Sequence, residues 1–380
     1  MREYVLVFLV AASVTYLLTV IAREIAIRTG AVAAVRDRDV HAEPIPYLGG
    51  LAMYGGLVAA YLVARELPFL SESQDVVFND ATSVLLAGGV ICAVGVLDDI
   101  FELDPFTKLG GQLLAAGLLV YFGIRYSVFF VSGGGQFSLE PTQSALLSVL
   151  VVVATVNAVN MVDGLDGLAA GVIGIGAGAF FVFCYVLTAL NNVTLATTGA
   201  LLSASLAGAC AGFLPHNFHP ARLFMGDSGS MLLGLMLSAS ALTLTGQFNP
   251  GDLQAGAAGA DARLGWILLL PVYLPIALLV VPVADLLLAV IRRTRAGRSP
   301  FAPDKKHLHH RLLEIGHSHR RAVLIMWLWA GLIAFGTVVA SLFTGGAMWL
   351  TLLLALLVTV AATFVLPVVH GPHAPKEQPS

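Results

Sequence analysis

The chain has 380 residues, 58% of them hydrophobic and only 11% charged, against about 25% charged in soluble globular domains. Together with a mean hydropathy of +0.87, this excludes a soluble globular protein and leaves an integral membrane protein. The formal net charge of −3 says little about partners, because opposite signs are segregated by side and by loop.

Apolar runs of about 20 residues, the length that crosses about 30 Å of hydrocarbon, recur along the chain with no long soluble segment between them. They predict an all-α polytopic membrane protein of about eleven transmembrane helices. The spans fall at 4–27, 48–64, 82–97, 107–123, 143–159, 169–189, 196–213, 229–246, 264–290, 322–343 and 347–369. A single domain over 1–370 is followed by a short, disordered cytoplasmic tail at 371–380. The first run is too long for a signal peptide, has no clear small-x-small cleavage site, and ends in Arg23 and Arg28; it reads as a retained helix. Between the fourth and fifth spans, Tyr126–Val131 alternates, Gly133–Gly135 turns and Gln136–Leu139 resumes, the pattern of a small extracytoplasmic β-hairpin. The ninth span carries Pro271, Pro275 and Pro282, which kink or break a helix; the bend either opens a lateral groove for a lipid tail or is passive. Cys92, Cys184 and Cys210 fall inside spans without Cys-x-x-Cys spacing and read as small core residues.

Of the 20 lysines and arginines, only Arg2, Arg65, Arg125 and Arg263 fall in one set of loops, and all the others in the opposite set. By the positive-inside rule the rich side is cytoplasmic, with the N-terminus outside and the C-terminus inside. The same map puts all 10 histidines and most polar clusters on that side. A single histidine there reads as a solvated loop residue, but complete segregation puts any chemistry on the cytoplasmic side. Transport, a competing class of function, needs access from both faces, and a scaffold leaves the polar groups within the spans unexplained.

Four polar clusters follow in chain order. Asp98-Asp99, after the third span, stands ahead of Lys108 and Gln112. Paired carboxylates hold magnesium or share protons, and a helix-end or loop role is the alternative. Asn157, Asn160 and Asp163, three apart at the end of the fifth span, share a helical face. An Asp at mid-membrane costs about 2.5–3.5 kcal/mol, so such groups normally face a protein-lined cavity. Asp163-Gly-Leu-Asp166-Gly167 is either a tight turn with an Asp cap or a loop whose glycines admit a phosphate while its oxygens suit a hard cation; the two amides before it favour the second. Phe224-Met-Gly-Asp227-Ser-Gly-Ser230 precedes the eighth span, as an anion site with Asp227 to bring a cation, or as an ordinary N-cap. The longest cytoplasmic loop offers His307, His309, His310 and Arg311 as donors to phosphate oxygens or a nucleotide. Its spacing matches no usual zinc set, and the alternative is a basic loop on anionic headgroups. Acidic metal ligands beside basic phosphate ligands are the combination that phosphoryl transfer needs.

Taken together, Asp98-Asp99 with Lys108, Asn157-x-x-Asn160-x-x-Asp163-Gly-x-Asp166-Gly167, Gly226-Asp227-x-Gly229-Ser230 and His307-x-His309-His310-Arg311 resemble, in order, the signatures of the polyprenyl-phosphate N-acetylhexosamine-1-phosphate transferases. So do the first inner loop, His41 to Gly50, and Asp285 ahead of Arg292-Arg293. The His-x-His-His-Arg-Leu run resembles the WecA/TagO-like branch, whereas the relatives that handle UDP-MurNAc-pentapeptide usually carry His-His-His-Phe-Glu there. The resemblance implies a bacterial inner-membrane enzyme with a cytoplasmic active-site cleft, which transfers GlcNAc-1-phosphate from UDP-GlcNAc to undecaprenyl or decaprenyl phosphate. UMP leaves, and the product is the first lipid-linked sugar of a cell-envelope polysaccharide. Also implied are a magnesium ion, or manganese in its place, on Asp227 and Asn160, and a catalytic set of Asp98, Asp99, Asp163 and Asp166. Lys108, Asn157, His307, His309, His310, Arg311 and His41 are then substrate-binding. The implied partners are the UDP-sugar, the lipid phosphate, the membrane and a second copy in a homodimer, with no nucleic acid.

Overall fold

The computed structural model describes residues 1–32, 45–71, 75–131, 135–191, 196–245, 294–295, 316–342 and 345–364. In chain order they form α1 (Arg2–Thr29), α2 (Gly49–Ala64), α3 (Pro68–Ser71), α4 (Asp75–Phe101), α5 (Pro105–Tyr121), β1 (Val128–Val131), β2 (Gly135–Ser138), α6 (Pro141–Val162), α7 (Leu168–Asn191), α8 (Ala196–Asn217), α9 (Gly226–Thr245), α10 (His319–Leu342) and α11 (Gly346–Phe364). Every expected span except 264–290 falls on one of these helices. The ninth span with Pro271, Pro275 and Pro282, and the tail at 371–380, lie outside the described residues. Among the described residues eight helices, α1, α4 and α6 to α11, are long and apolar enough to cross a membrane, so this is a polytopic membrane protein. With 16 and 17 residues, α2 and α5 rise only about 24–26 Å, less than the hydrocarbon thickness of about 30 Å.

Short polar segments set where these helices begin and end. Asp104 caps α5, its Oδ1 accepting the N–H groups of Phe106 at 3.0 Å and Thr107 at 3.1 Å, with Pro105 at the first helical position, where its missing N–H costs nothing. The bonds from Thr107, side chain first, hold the Asp104 carboxyl below the usual carboxylate range. Glu140 and Gln143 form a reciprocal capping box at the start of α6, satisfying two orphan donors at once. The third expected span is longer than its apolar run: α4 reaches from Asp75 to Phe101 and carries Asp98 and Asp99 in its last turn. It stops where Glu102 adopts φ +49° and the Leu103 N–H turns back to Asp98 Oδ1 at 2.9 Å.

Burial orders the helices into a centre and a belt. The most apolar window of α9 is 94% buried, whereas that of α11 is only 17% buried. Packed around α9 are α2, α4, α6 and α8. Its Ser238 and Ser240 hydroxyls donate to carbonyls four residues back, Gly234 at 3.0 Å and Met236 at 2.7 Å, so these two small residues permit close packing with their hydroxyls paired inside the helix. Large apolar side chains on α1 and α11, such as Leu17, Ile21, Leu353 and Leu357, are exposed, the character that a surface in contact with lipid requires. β1 and β2 pair antiparallel from Val128↔Ser138 to Val131↔Gly135. The chain entering this hairpin is fixed to α6 by the Tyr126 N–H, which donates to Ser148 Oγ at 2.9 Å. The three cysteines are buried and free.

Candidate active site

The last turn of α4, the first turns of α5 and α9, and the end of α6 meet at one end of the bundle, which brings together residues up to 129 positions apart. Lys108 Nζ sits between two carboxylates, 3.1 Å from Asp98 Oδ2 and in direct contact with Asp227 Oδ2. On the far side of Asp227, Asn160 Nδ2 donates to Oδ1 at 2.6 Å and to Ser230 Oγ at 2.8 Å. Asp98, Lys108, Asn160 and Asp227 therefore form one continuous polar chain across four helices. All are partly buried, with side-chain exposures of 13% for Asp98, 20% for Lys108 and 26% for Asp227, so their charges interact in a medium of lower dielectric than water.

Asp99 points another way. Its Oδ1 accepts the N–H of Asp227 at 2.7 Å and its Oδ2 the N–H of Ser228 at 3.2 Å. The stripe expected on α6 also divides. Asn157 turns to α5, where it exchanges hydrogen bonds with the buried Gln112: Asn157 Nδ2 donates to Gln112 Oε1 at 2.6 Å, and Gln112 Nε2 to Asn157 Oδ1 at 3.4 Å. Only Asn160 reaches Asp227. Asp163 is the residue after α6, with φ −74° and ψ 50°, so it leaves the helical face it would share with the two amides. Although part of Asp163 reaches solvent, burial pushes its carboxyl up to about 8, and the negative charges of Asp227, Asp99 and Asp166 push in the same direction. Asp163 thus feels the charge of Asp227, Asp99 and Asp166 from the end of α6.

Asp166 is buried and organises the next layer. Its Oδ2 accepts the Ala221 N–H at 3.1 Å and lies 2.8 Å from His219 Nδ1. The adjacent Gly167 N–H donates to Asn217 Oδ1 at 3.0 Å, and Asn217 Nδ2 donates to the Leu223 carbonyl at 3.1 Å. The loop after α6 is thus bonded to the segment between α8 and α9, which leads directly into Gly226-Asp227. The His219 ring stacks on His319 with centroids 4.3 Å apart, and Arg320 Nε donates to the His219 carbonyl at 3.0 Å, which ties the start of α10 to the same place. A backbone ladder braces the other flank: Gly49 and Gly50 N–H donate to the Phe224 and Met225 carbonyls, both at 3.0 Å, and Phe224 N–H donates to Pro46 at 2.9 Å.

Of the residues expected from sequence, Asp98, Lys108, Asn160 and Asp227 are brought into one cluster, with Asp99, Asn157 and Asp166 held by other partners beside it and Asp163 at the end of α6. His41, His307, His309, His310 and Arg311 lie outside the described residues. Three contributors went unread: Asn217, His219 and the backbone of 221–223. Their signal was available in the run of polar residues before Phe224, although nothing local says that this run folds back on Asp166. His317, expected to be a solvated loop residue, is buried, its Nε2 donating to the Thr363 carbonyl at 2.9 Å.

A family model described as glycosyl transferase family 4 matches residues 81–245, the stretch from α4 to α9 that carries the cluster. The chain is 47% identical over 380 residues to the decaprenyl-phosphate N-acetylglucosaminephosphotransferase of Mycolicibacterium smegmatis, covering 99% of this chain and 92% of that one. It is 48% identical over 368 residues to the enzyme of the same name from Mycobacterium tuberculosis, covering 96% of this chain and 89% of that one. With such relatives matched almost end to end and the family model lying over the helices that build the cluster, the chain belongs to glycosyl transferase family 4, among the polyprenyl-phosphate N-acetylhexosamine-1-phosphate transferases.

Proposed function

We propose that the protein transfers GlcNAc-1-phosphate from UDP-GlcNAc to decaprenyl phosphate at the cytoplasmic face of a bacterial inner membrane. The observation that carries the reading is the chain Asp98–Lys108–Asp227–Asn160, in which one ammonium lies between two carboxylates. A site built this way has the charge of both signs that a phosphoryl transfer needs. An oxygen of the lipid phosphate attacks the β-phosphorus of the donor. The bond from that phosphorus to the bridging oxygen breaks, and the electron pair leaves with UMP.

A lipid phosphate monoester has a second pKa of about 6, so it is mostly dianionic at neutral pH and needs little help from a base. Asp98 suits orientation better than proton removal, since both its oxygens already accept, one from the Leu103 N–H and one from Lys108. Lys108 neutralises phosphate charge. Its ammonium already occupies a cation position between Asp98 and Asp227, and the oxygen donors around it suit a hard divalent ion. Asp227, with Asn160 second, would hold magnesium or manganese. Such an ion, when bound, neutralises the charge on the pyrophosphate oxygens. His41, His307, His309, His310 and Arg311 would hold the nucleotide and its phosphates, and Asp163 and Asp166 would border the donor.

The orientation follows the basic-residue asymmetry: about eleven spans, the hairpin outside, and this end of the bundle inside. Purified protein given UDP-GlcNAc, decaprenyl phosphate and Mg²⁺ is expected to release UMP only when all three are present. Absence of UMP with every UDP-N-acetylhexosamine donor in a panel would overturn the reading. A second expectation concerns pH. A carboxyl held up at about 8 in the folded state, against 3.8 ordinarily, favours folding below pH 3.8 and loses that contribution as pH rises towards 8. Metal-free protein should therefore melt at a lower temperature at about pH 8 than at about pH 6, and the gain on adding Mg²⁺ should be larger at the higher pH. Melting curves with and without EDTA measure both; a gain independent of pH would count against a cation near Asp163.

A further inference from the structure

We infer that Asp99 is a positioning residue, which fixes the backbone of Asp227 and does not join the reacting groups. The inference rests on the reading of Asp227 as the metal ligand and assigns the neighbouring carboxylate a different task. The first N–H groups of a helix have no partner inside it, and in α9 those of Asp227 and Ser228 are both taken by Asp99, one on each carboxylate oxygen, at 2.7 and 3.2 Å. Asp99 is thus the N-terminal cap of α9, supplied from the last turn of α4. Its charge also faces the positive end of the helix dipole.

Two glycines show how closely this fit is built. Gly226 adopts φ +69°, a conformation L side chains rarely take, and a Cβ there would overlap the Asp99 carboxylate. Gly95, one turn before Asp99, lies so near the backbone of Asp227 and Ser228 that a Cβ would collide with it. The two helices therefore approach backbone to backbone on either side of the carboxylate. With its own N–H held by Asp99, Asp227 has little freedom to tilt. Its side chain is delivered to Lys108 on one side and Asn160 on the other. Adjacent aspartates in the sequence thereby divide the work: Asp98 faces the reacting groups through Lys108, and Asp99 faces away from them.

The discriminating variants are Asp99→Asn, which keeps the shape but turns an amide N–H₂ towards one backbone N–H, and Gly226→Ala, which crowds the same carboxylate without altering any charge. Hydrogen exchange of the 224–231 segment should quicken in both by roughly fivefold to tenfold, the change carried by loss of a helix cap. Mn²⁺ affinity, read by electron paramagnetic resonance, should weaken by roughly tenfold, within the range for an outer residue that orients a metal ligand. Turnover by Asp99→Asn should return to near that of the unaltered protein at saturating Mg²⁺. Unchanged exchange, or turnover that stays low at saturating metal, would overturn the positioning role. Asp227→Asn separates the two readings: if it binds Mn²⁺ as tightly as the unaltered protein, the metal assignment fails, whereas the cap is judged by exchange alone.

Discussion

Asp227→Asn is expected to lower turnover by roughly 10³-fold, the scale set by losing a preorganised charge at a phosphoryl-transfer centre, with the helix bundle intact. The physical case lies in what each atom of Asp227 meets. Oδ2 contacts the Lys108 ammonium and Oδ1 accepts from Asn160 at 2.6 Å, so an amide must present a donor to one of two donors. It also removes the one full charge on this side chain that could hold a divalent ion. The backbone is spared, because the N–H of residue 227 still donates to Asp99. Initial rates over a magnesium series, with melting temperature as the control, measure the effect. Asn160→Ala serves as a graded comparison: it keeps the carboxylate but removes the neutral second ligand together with the amide that orients Asp227, for a loss of about 10–100-fold. Full activity of Asp227→Asn at ordinary magnesium would remove this residue from the metal site.

The span positions were legible because lipid imposes one dominant requirement, length multiplied by apolarity. Which span stands in the middle was less evident, yet the sequence carried a faint sign of it. The best window of α9 has a mean hydropathy of only 1.2, against 2.5 for α1. A helix enclosed by other helices can carry serines bonded to its own carbonyls, as Ser238 and Ser240 are, while a helix facing lipid gains from leucine and isoleucine. The site itself was legible by residue type and only partly by role. Spacing put Asn157, Asn160 and Asp163 on one face, but a helix that ends at Val162 and a buried Gln112 on α5 send the three side chains to different partners. Likewise Asp98 and Asp99 are equivalent in sequence. Successive helical side chains diverge by about 100°, so the two meet Asp227 differently, Asp98 at its side chain through Lys108 and Asp99 at its backbone, and the packing of α9 decides which one caps it. The bonds from Asp166 and Gly167 to 217–221 join segments 50 to 55 residues apart, where no local periodicity can report the contact.

Lys108→Met should separate stability from catalysis at this centre. In metal-free protein the Lys108 ammonium compensates both Asp98 and Asp227, and carboxylates this close raise one another's energy when no cation lies between them. Removing one partner of a buried pair costs about 3–5 kcal/mol; with 13–26% of these side chains still exposed, screening reduces that to about 1–3 kcal/mol. The variant should therefore melt several degrees lower in EDTA and gain more from Mg²⁺ than the unaltered protein does, because the ion no longer competes with an ammonium for Asp227. Turnover should nonetheless fall by roughly 10²-fold or more even at saturating Mg²⁺, since a positive group facing the transferring phosphate is gone. Lys108→Arg restores the charge but spreads it over a planar fork, so it should recover most of the stability and only part of the rate. A Lys108→Met protein whose melting in EDTA is unchanged would mean that the ammonium does not offset these carboxylates. One that turns over normally would mean that Lys108 serves the fold and takes no part in charge neutralisation during transfer.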